Sequence, residues 1–174
     1  MSRYCFSVVG VLAGFGVVVA IGSGRLLHAF VLCSLVFLFF VFMSGLDFVV
    51  NRVLYGYGLC FSFGWAGFYW SVFGCCFVVF GGMVGFSYWL GSQKKRLNLK
   101  VGVGLFTSVC LLFLGGLQDV LWFVLWGGGL PCVDVVWWWM PWCGLFGFWN
   151  STCQLALLGG ILASVCGLWL LMLR

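Results

Sequence analysis

Asp47, Asn51 and Arg52 place an acid, an amide and a base within six positions, and Tyr55 and Tyr57 follow closely. Asp47 and Asn51 are four residues apart, so on a helix they share one face, with Arg52 one residue further. An acid among apolar neighbours usually faces protein or water rather than lipid, and it is then a candidate proton relay. The same acid near a membrane edge, paired with Arg52, would only fix a helix end. Asp119, with Gln118 beside it, is a second acid in an apolar stretch. It reads either as a helix boundary or as a polar site covered by partner helices. Asp134 completes the acids, in a proline- and glycine-rich piece that reads as solvated. Arg25 and His28 are three apart and share one side of a turn or helix start.

These few polar residues sit in a chain of 174 residues that is 65% hydrophobic and 6% charged. A soluble domain carries about 25% charged residues, and its polar surface could not cover this much apolar material. The composition therefore specifies an integral membrane protein, all-α, with several transmembrane helices. Net charge is +5, but the basic residues are scattered and form no stripe for nucleic acid. Phe, Val, Gly, Trp, Cys and Leu supply 122 of the 174 residues, while Ile occurs only at Ile21 and Ile161. Membrane physics gives no reason to prefer Leu and Val so far over Ile. All six residue types can be encoded with G and T alone, which points to a strand-biased genome such as some mitochondrial DNAs. Proteins kept in such genomes are mostly membrane subunits of the respiratory chain and ATP synthase.

A helical span needs about 20 apolar residues. Candidate spans cover 4–22, 29–50, 99–118 and 151–173, with Asn51 and Arg52 breaking the second. Between them, 53–91 is either one long helix or two with a tight turn near 71–74. Residues 119–150 read as an irregular, Trp-rich connection, although the preceding span could extend to Trp126. Pro131 and Pro141 each remove a backbone donor there. Trp137, Trp138, Trp139, Trp142 and Trp149 favour the headgroup level. Basic residues in short loops set orientation. Lys94, Lys95, Arg96, Lys100 and Arg174 fall inside, and the Trp-rich connection, which lacks Lys and Arg, falls outside. Five spans then put the N-terminus outside, Arg25 and His28 inside and Arg52 outside. Six spans put the N-terminus and Arg52 inside.

Cys5, Cys33, Cys60, Cys110 and Cys166, half of the ten cysteines, stand singly in apolar runs, where Cys behaves as a small hydrophobe. Cys132 and Cys143 flank the Trp-rich stretch and could meet across a loop. Asn150–Ser151–Thr152 matches a glycosylation acceptor, which functions only on the secretory route. Gly56 and Gly58 alternate with Tyr55 and Tyr57 and weaken a helix there, allowing close packing or a bulge. Gly81, Gly82 and Gly85 offer a similar small-residue face for helix contact.

Residues 25–63 resemble the start of the sixth core membrane subunit of mitochondrial respiratory complex I. Arg25 and His28 look like the basic residue and histidine before that family's second helix. Gly45, Asp47 and Phe48 resemble the motif near the end of that helix, and Tyr57–Gly58 its aromatic–glycine segment in the third. The resemblance implies a mitochondrial inner-membrane subunit of NADH:ubiquinone oxidoreductase that binds no cofactor itself. NADH, flavin and iron–sulfur chemistry would belong to other subunits, and quinone would be met only indirectly. Partners would be the other membrane subunits and lipids. The family's third helix carries a π-bulge and helps couple quinone chemistry to proton movement. That implies a bending segment around Tyr55–Phe63, with Tyr55, Gly56 and Gly58 at the bulge. Asp47, Tyr57 and Asp119 are the candidates for the proton path, and Arg25, His28 and Arg52 for loop or ion-pair positions. The proline usual before the histidine is absent here, and the second half of the chain carries no mark of the family.

Other classes read less well. The proton subunit of ATP synthase needs an arginine deep in a helix, whereas Arg25, Arg52 and Arg96 stand at apparent helix ends. Haem- or copper-binding oxidase subunits need several histidines, and this chain has one. A structural or assembly subunit of another organellar complex stays open, as does a small independent transporter.

Overall fold

The computed structural model describes residues 26–58, 63–91 and 95–172. The candidate span 4–22, Arg25 and Lys94 lie outside the described residues, as do the side chains of His28, Lys95 and Arg96. The described chain is all helical, with no strand. Helix α1 is Leu26–Gly56, α2 is Phe63–Leu90, α3 is Lys95–Leu114 and α4 is Leu117–Leu121. A π-helical turn, Trp122–Trp126, continues α4; a short α5, Pro141–Phe146, and a long α6, Ser151–Met172, follow. Three helices are long and apolar enough to cross a membrane, and the broken α3–α4 pair makes a fourth if it is one span.

Helix α1 runs 31 residues, straight through Asn51 and Arg52. The expected break there does not form, because Asn51 bonds back to Asp47 within the helix instead of leaving it. The apolar part Val31–Leu54 has 24 residues. At about 1.5 Å per residue that is about 36 Å, enough to cross a hydrocarbon core of about 30 Å. Its inward face is Cys33, Val36, Phe40, Met43, Ser44 and Asp47, all buried at helical spacing. Tyr57 still bonds back to Val53, and Gly58 then turns the chain with φ +71°, a conformation that suits glycine. Tyr55 and Gly56 thus close a helix and Tyr57–Gly58 form a turn, rather than a bulge inside a helix. No π segment occurs in α2; among the described residues the π turn is at Trp122–Trp126.

The stretch 53–91 contains the end of α1 and one uninterrupted helix, with no turn at 71–74. α2 turns Phe73, Phe77, Gly81, Val84 and Gly85 inward. A Cβ placed on Gly85 would lie 2.6 Å from the Gly102 carbonyl oxygen, and one on Gly102 would lie 2.5 Å from that of Gly85. The two backbones therefore touch, a contact open only to glycine. Gly81 also faces α3, across from Val109, whereas Gly82 has open space. In lipid such small-residue contacts supply the packing that holds helices together. Above them the interior is aromatic: Phe39 stacks on Phe80 at 3.7 Å, and Phe77 on Phe113 at 4.6 Å.

The chain breaks again after α3. Segments Asn98–Leu114 and Leu117–Trp126 meet at 61°. Gly116 supplies the turn with φ +67°, and Gly115 packs so tightly on Ile161 that a Cβ would sit 3.1 Å from it. Residues 119–126, expected in the irregular connection, are helical and belong to this second limb. The true connection begins at Gly127 and folds into a small core of its own. Trp137 and Met140 are buried with Trp149, and Trp137 N–H donates to the Trp149 carbonyl at 2.8 Å. The Trp-rich piece is thus partly interior, with Trp138, Phe146 and Phe148 its exposed rings. Cys132 and Cys143 are both free thiols.

Gly102→Val should separate α2 from α3, since the branched side chain has backbone in its way. We expect a loss of about 1–3 kcal/mol, measurable as a lowered unfolding midpoint of the detergent-solubilised protein. Gly82→Ala, facing open space, should leave that midpoint within about 0.5 kcal/mol of the parent.

Candidate functional site

The polar residues converge where α1, α2 and the α4 limb meet. Asp47, buried on α1, accepts a 2.6 Å hydrogen bond from Asn51 Nδ2 one turn later. Gln118 Nε2, reaching over from α4, donates to its other carboxylate oxygen at 3.5 Å. The Tyr69 hydroxyl of α2 addresses the same carboxylate. Three helices thus supply donors to one acid. Arg52 does not pair with it. Its guanidinium lies 5.1 Å from the Phe48 ring centre, and the side chain is exposed. The expected Asp47–Arg52 pair is replaced by a cation–π contact.

Asp119 follows Gln118 on α4 and is half-buried, with Trp139 as a hydrogen-bonding neighbour and Asp47 as an electrostatic one. Both acids line one cavity of about 590 Å³. The rest of its wall is largely aromatic, with Tyr69 and Trp70 from α2 and Trp122, Phe123 and Trp126 from the α4 limb. Its size is that of a ligand pocket.

Each wall has a local reason to be there. The π turn lets Gly127 N–H reach the Trp122 carbonyl at 2.9 Å, and it brings both Trp122 and Trp126 to the cavity. Trp126 settles over Gly45, where an added Cβ would lie 3.2 Å from its ring, and donates to Ser44 Oγ at 3.2 Å. Trp70 Nε1 donates to the Trp139 carbonyl at 3.0 Å, fastening the connection to α2. The bend that aims the whole limb is held from α6. Gln154, fully buried, donates to the Gly115 carbonyl at 2.6 Å and accepts from Trp149 Nε1 at 2.8 Å. Its amide also rests against Gly116, in the space a side chain there would need. Asn150 caps α6, accepting from Cys153 N–H at 3.0 Å and donating to the Val133 carbonyl at 2.9 Å. The asparagine of the glycosylation-type triplet is therefore buried and engaged in structure.

The structure gathers Asp47, Asn51, Arg52 and Asp119 at this cavity. It does not bring Tyr57 there; that side chain is 79% exposed at the turn after α1. Gly56 and Gly58 have none of the described residues within 4 Å of a built Cβ, so their small size serves no contact with those residues. The side chain of Tyr55 lies outside the described residues, as does that of His28. Among the described residues no three His, Cys, Asp or Glu side chains gather as metal ligands. Sequence reading missed Tyr69, the cavity tryptophans and Gln154. Only Gln154 left a signal: it is the one amide within the last apolar run. No family model, curated protein or solved structure matches the chain.

Gln154→Leu keeps the volume but leaves the Gly115 carbonyl and the Trp149 indole without a partner. The cost expected is about 1–3 kcal/mol, read as a drop in the detergent unfolding midpoint. Asn150→Ala, which removes an N-cap, should cost about 1 kcal/mol.

Proposed function

We propose that this chain is a membrane subunit of a proton-translocating NADH:ubiquinone oxidoreductase of the mitochondrial inner membrane. In this reading it carries no catalytic centre or cofactor and helps couple quinone reduction to proton translocation. The observation that carries the reading is the shared cavity of Asp47 and Asp119, from two different helices, at the broken end of a membrane bundle. Acids inside membrane segments are costly and mark ion or proton routes. The amides of Asn51 and Gln118 donate to the Asp47 carboxylate and fix its orientation, with the Tyr69 hydroxyl beside it, so a proton on this path would be held by the carboxylates of Asp47 and Asp119. The glycine break and π turn beside it are the kinds of element that change shape in switching proteins. The likeness of residues 25–63 to the complex I subunit is the second support.

The topology proposed is five spans with the N-terminus outside. α1, α2, the bent α3–α4 pair and α6 make four crossings, and residues 4–22 a fifth. A single helix in place of two between Phe63 and Leu90 favours five over six. Arg25, Lys94, Lys95, Arg96, Lys100 and Arg174 then lie inside, with Arg52, the cavity and the Trp-rich connection outside.

A structural or assembly subunit of another organellar complex is the second reading. It is favoured by α6, where Gly159, Gly160 and Gly167 present small-residue positions on which none of the described residues packs. Such positions are contact points for other membrane helices.

Isolation in mild detergent should recover the chain in a large assembly with NADH:quinone activity. In that assembly Asp47→Asn should lower protons pumped per electron while subunit content is unchanged. Recovery with an assembly lacking that activity would move the chain to the second reading, and unchanged pumping in the variant would leave Asp47 a structural residue. On the five-span topology, a membrane-impermeant maleimide should reach Cys132 from the face opposite the one where trypsin cuts at Lys94–Lys95.

A further inference from the structure

The cavity has a charge order that the proton reading does not use. Two acids stand inside it, Asp47 buried and Asp119 half-buried, while Arg52 is exposed on its wall over Phe48. Between them the surface is mainly aromatic rings. A hard metal cation prefers about six oxygen ligands, which carboxylates set among indoles do not supply. Indole faces with carboxylates instead suit an organic ammonium group, held by cation–π attraction and by charge. Arg52 repels a bare cation, so the fitting ligand carries an anion next to its ammonium. A guanidinium binds phosphate well. The indole N–H of Trp122, also on the wall, has no hydrogen-bond partner among the described residues.

One more feature decides between a lipid and a soluble molecule. From Arg52 toward the middle of α1, the outward residues Val49, Leu46, Phe42, Leu38 and Leu35 are all exposed and apolar. They form a continuous helical stripe, which gives acyl chains a track leading away from the cavity. The tryptophans lie at the end of the bundle, the depth that indoles take at the headgroup boundary.

We propose that the cavity between α1, α2 and the α4 limb binds the headgroup of a zwitterionic phospholipid, with its ammonium between Asp47 and Asp119 and its phosphate on Arg52. This stands independently of which complex holds the chain, since it reads retained lipid rather than electron transfer or pumping.

The test uses the native assembly in dodecyl maltoside, stripped of loose lipid and offered equal amounts of phosphatidylcholine and phosphatidylglycerol. Lipid retained after gel filtration is measured by mass spectrometry. Phosphatidylcholine should be enriched about fivefold or more over phosphatidylglycerol, and Asp119→Asn should reduce that enrichment to near unity. Arg52→Gln, an exposed change that spares the fold, should also lower it. Retained lipid that mirrors the mixture would overturn the proposal, as would enrichment that survives both variants. Soluble phosphocholine at millimolar concentration should displace the retained phosphatidylcholine. Phosphocholine binding with no phosphatidylcholine retained would make the occupant a soluble zwitterion and overturn the assignment to lipid.

Discussion

The bend between α3 and α4 is the constraint from which the rest of the molecule follows. A helix turned through 61° frees backbone carbonyls that lipid cannot satisfy. Gln154 of α6 meets that need at Gly115, and Gly116 takes the backbone angle the turn requires. The second limb then leans on α1 instead of continuing along α3. Gln118 and Asp119 arrive beside Asp47 for that reason and for no reason local to their own sequence. Had α3 run straight to Trp126, Asp47 would lack its Gln118 donor.

Aromatic side chains do much of the work that charges do in soluble proteins. Trp126 reaches Ser44, Trp70 reaches the Trp139 carbonyl, Trp149 reaches Gln154 and Trp169 reaches Ser108. Each indole offers a large apolar face and a single donor, so it can join two helices without placing a charge in lipid. The connection after Gly127 exploits this most. Its run of three successive glycines and its two prolines exclude a long helix, yet Trp137, Met140 and Trp149 give it an interior. It can therefore lie over the bundle end and close the cavity with Trp138 and Trp139.

The site was partly legible before the fold. Asp47 and Asn51 meet because a spacing of four on a helix leaves them no other course, and Asp119 stood out simply as an acid in an apolar run. The Arg52 pairing misled because one residue past a helical turn points elsewhere, toward Phe48. The break expected at Asn51 failed for a related reason: an amide that bonds back to the preceding turn does not leave the helix. Tyr57 was a candidate through the resemblance to an aromatic–glycine segment, but here it stands in the turn that ends α1, with its ring outside the cavity.

Sequence alone determined that the chain is helical and lives in a membrane, because 65% hydrophobic and 6% charged residues leave no other solvent for it. It also determined which few side chains could carry chemistry, since so few are polar. Tertiary structure decided which of them meet. The glycines that matter, Gly85, Gly102 and Gly116, are three among 27, and composition cannot mark the ones whose missing Cβ is needed. Only the approach of two backbones and one buried amide from a distant helix selects them, and that selection places both acids on one cavity.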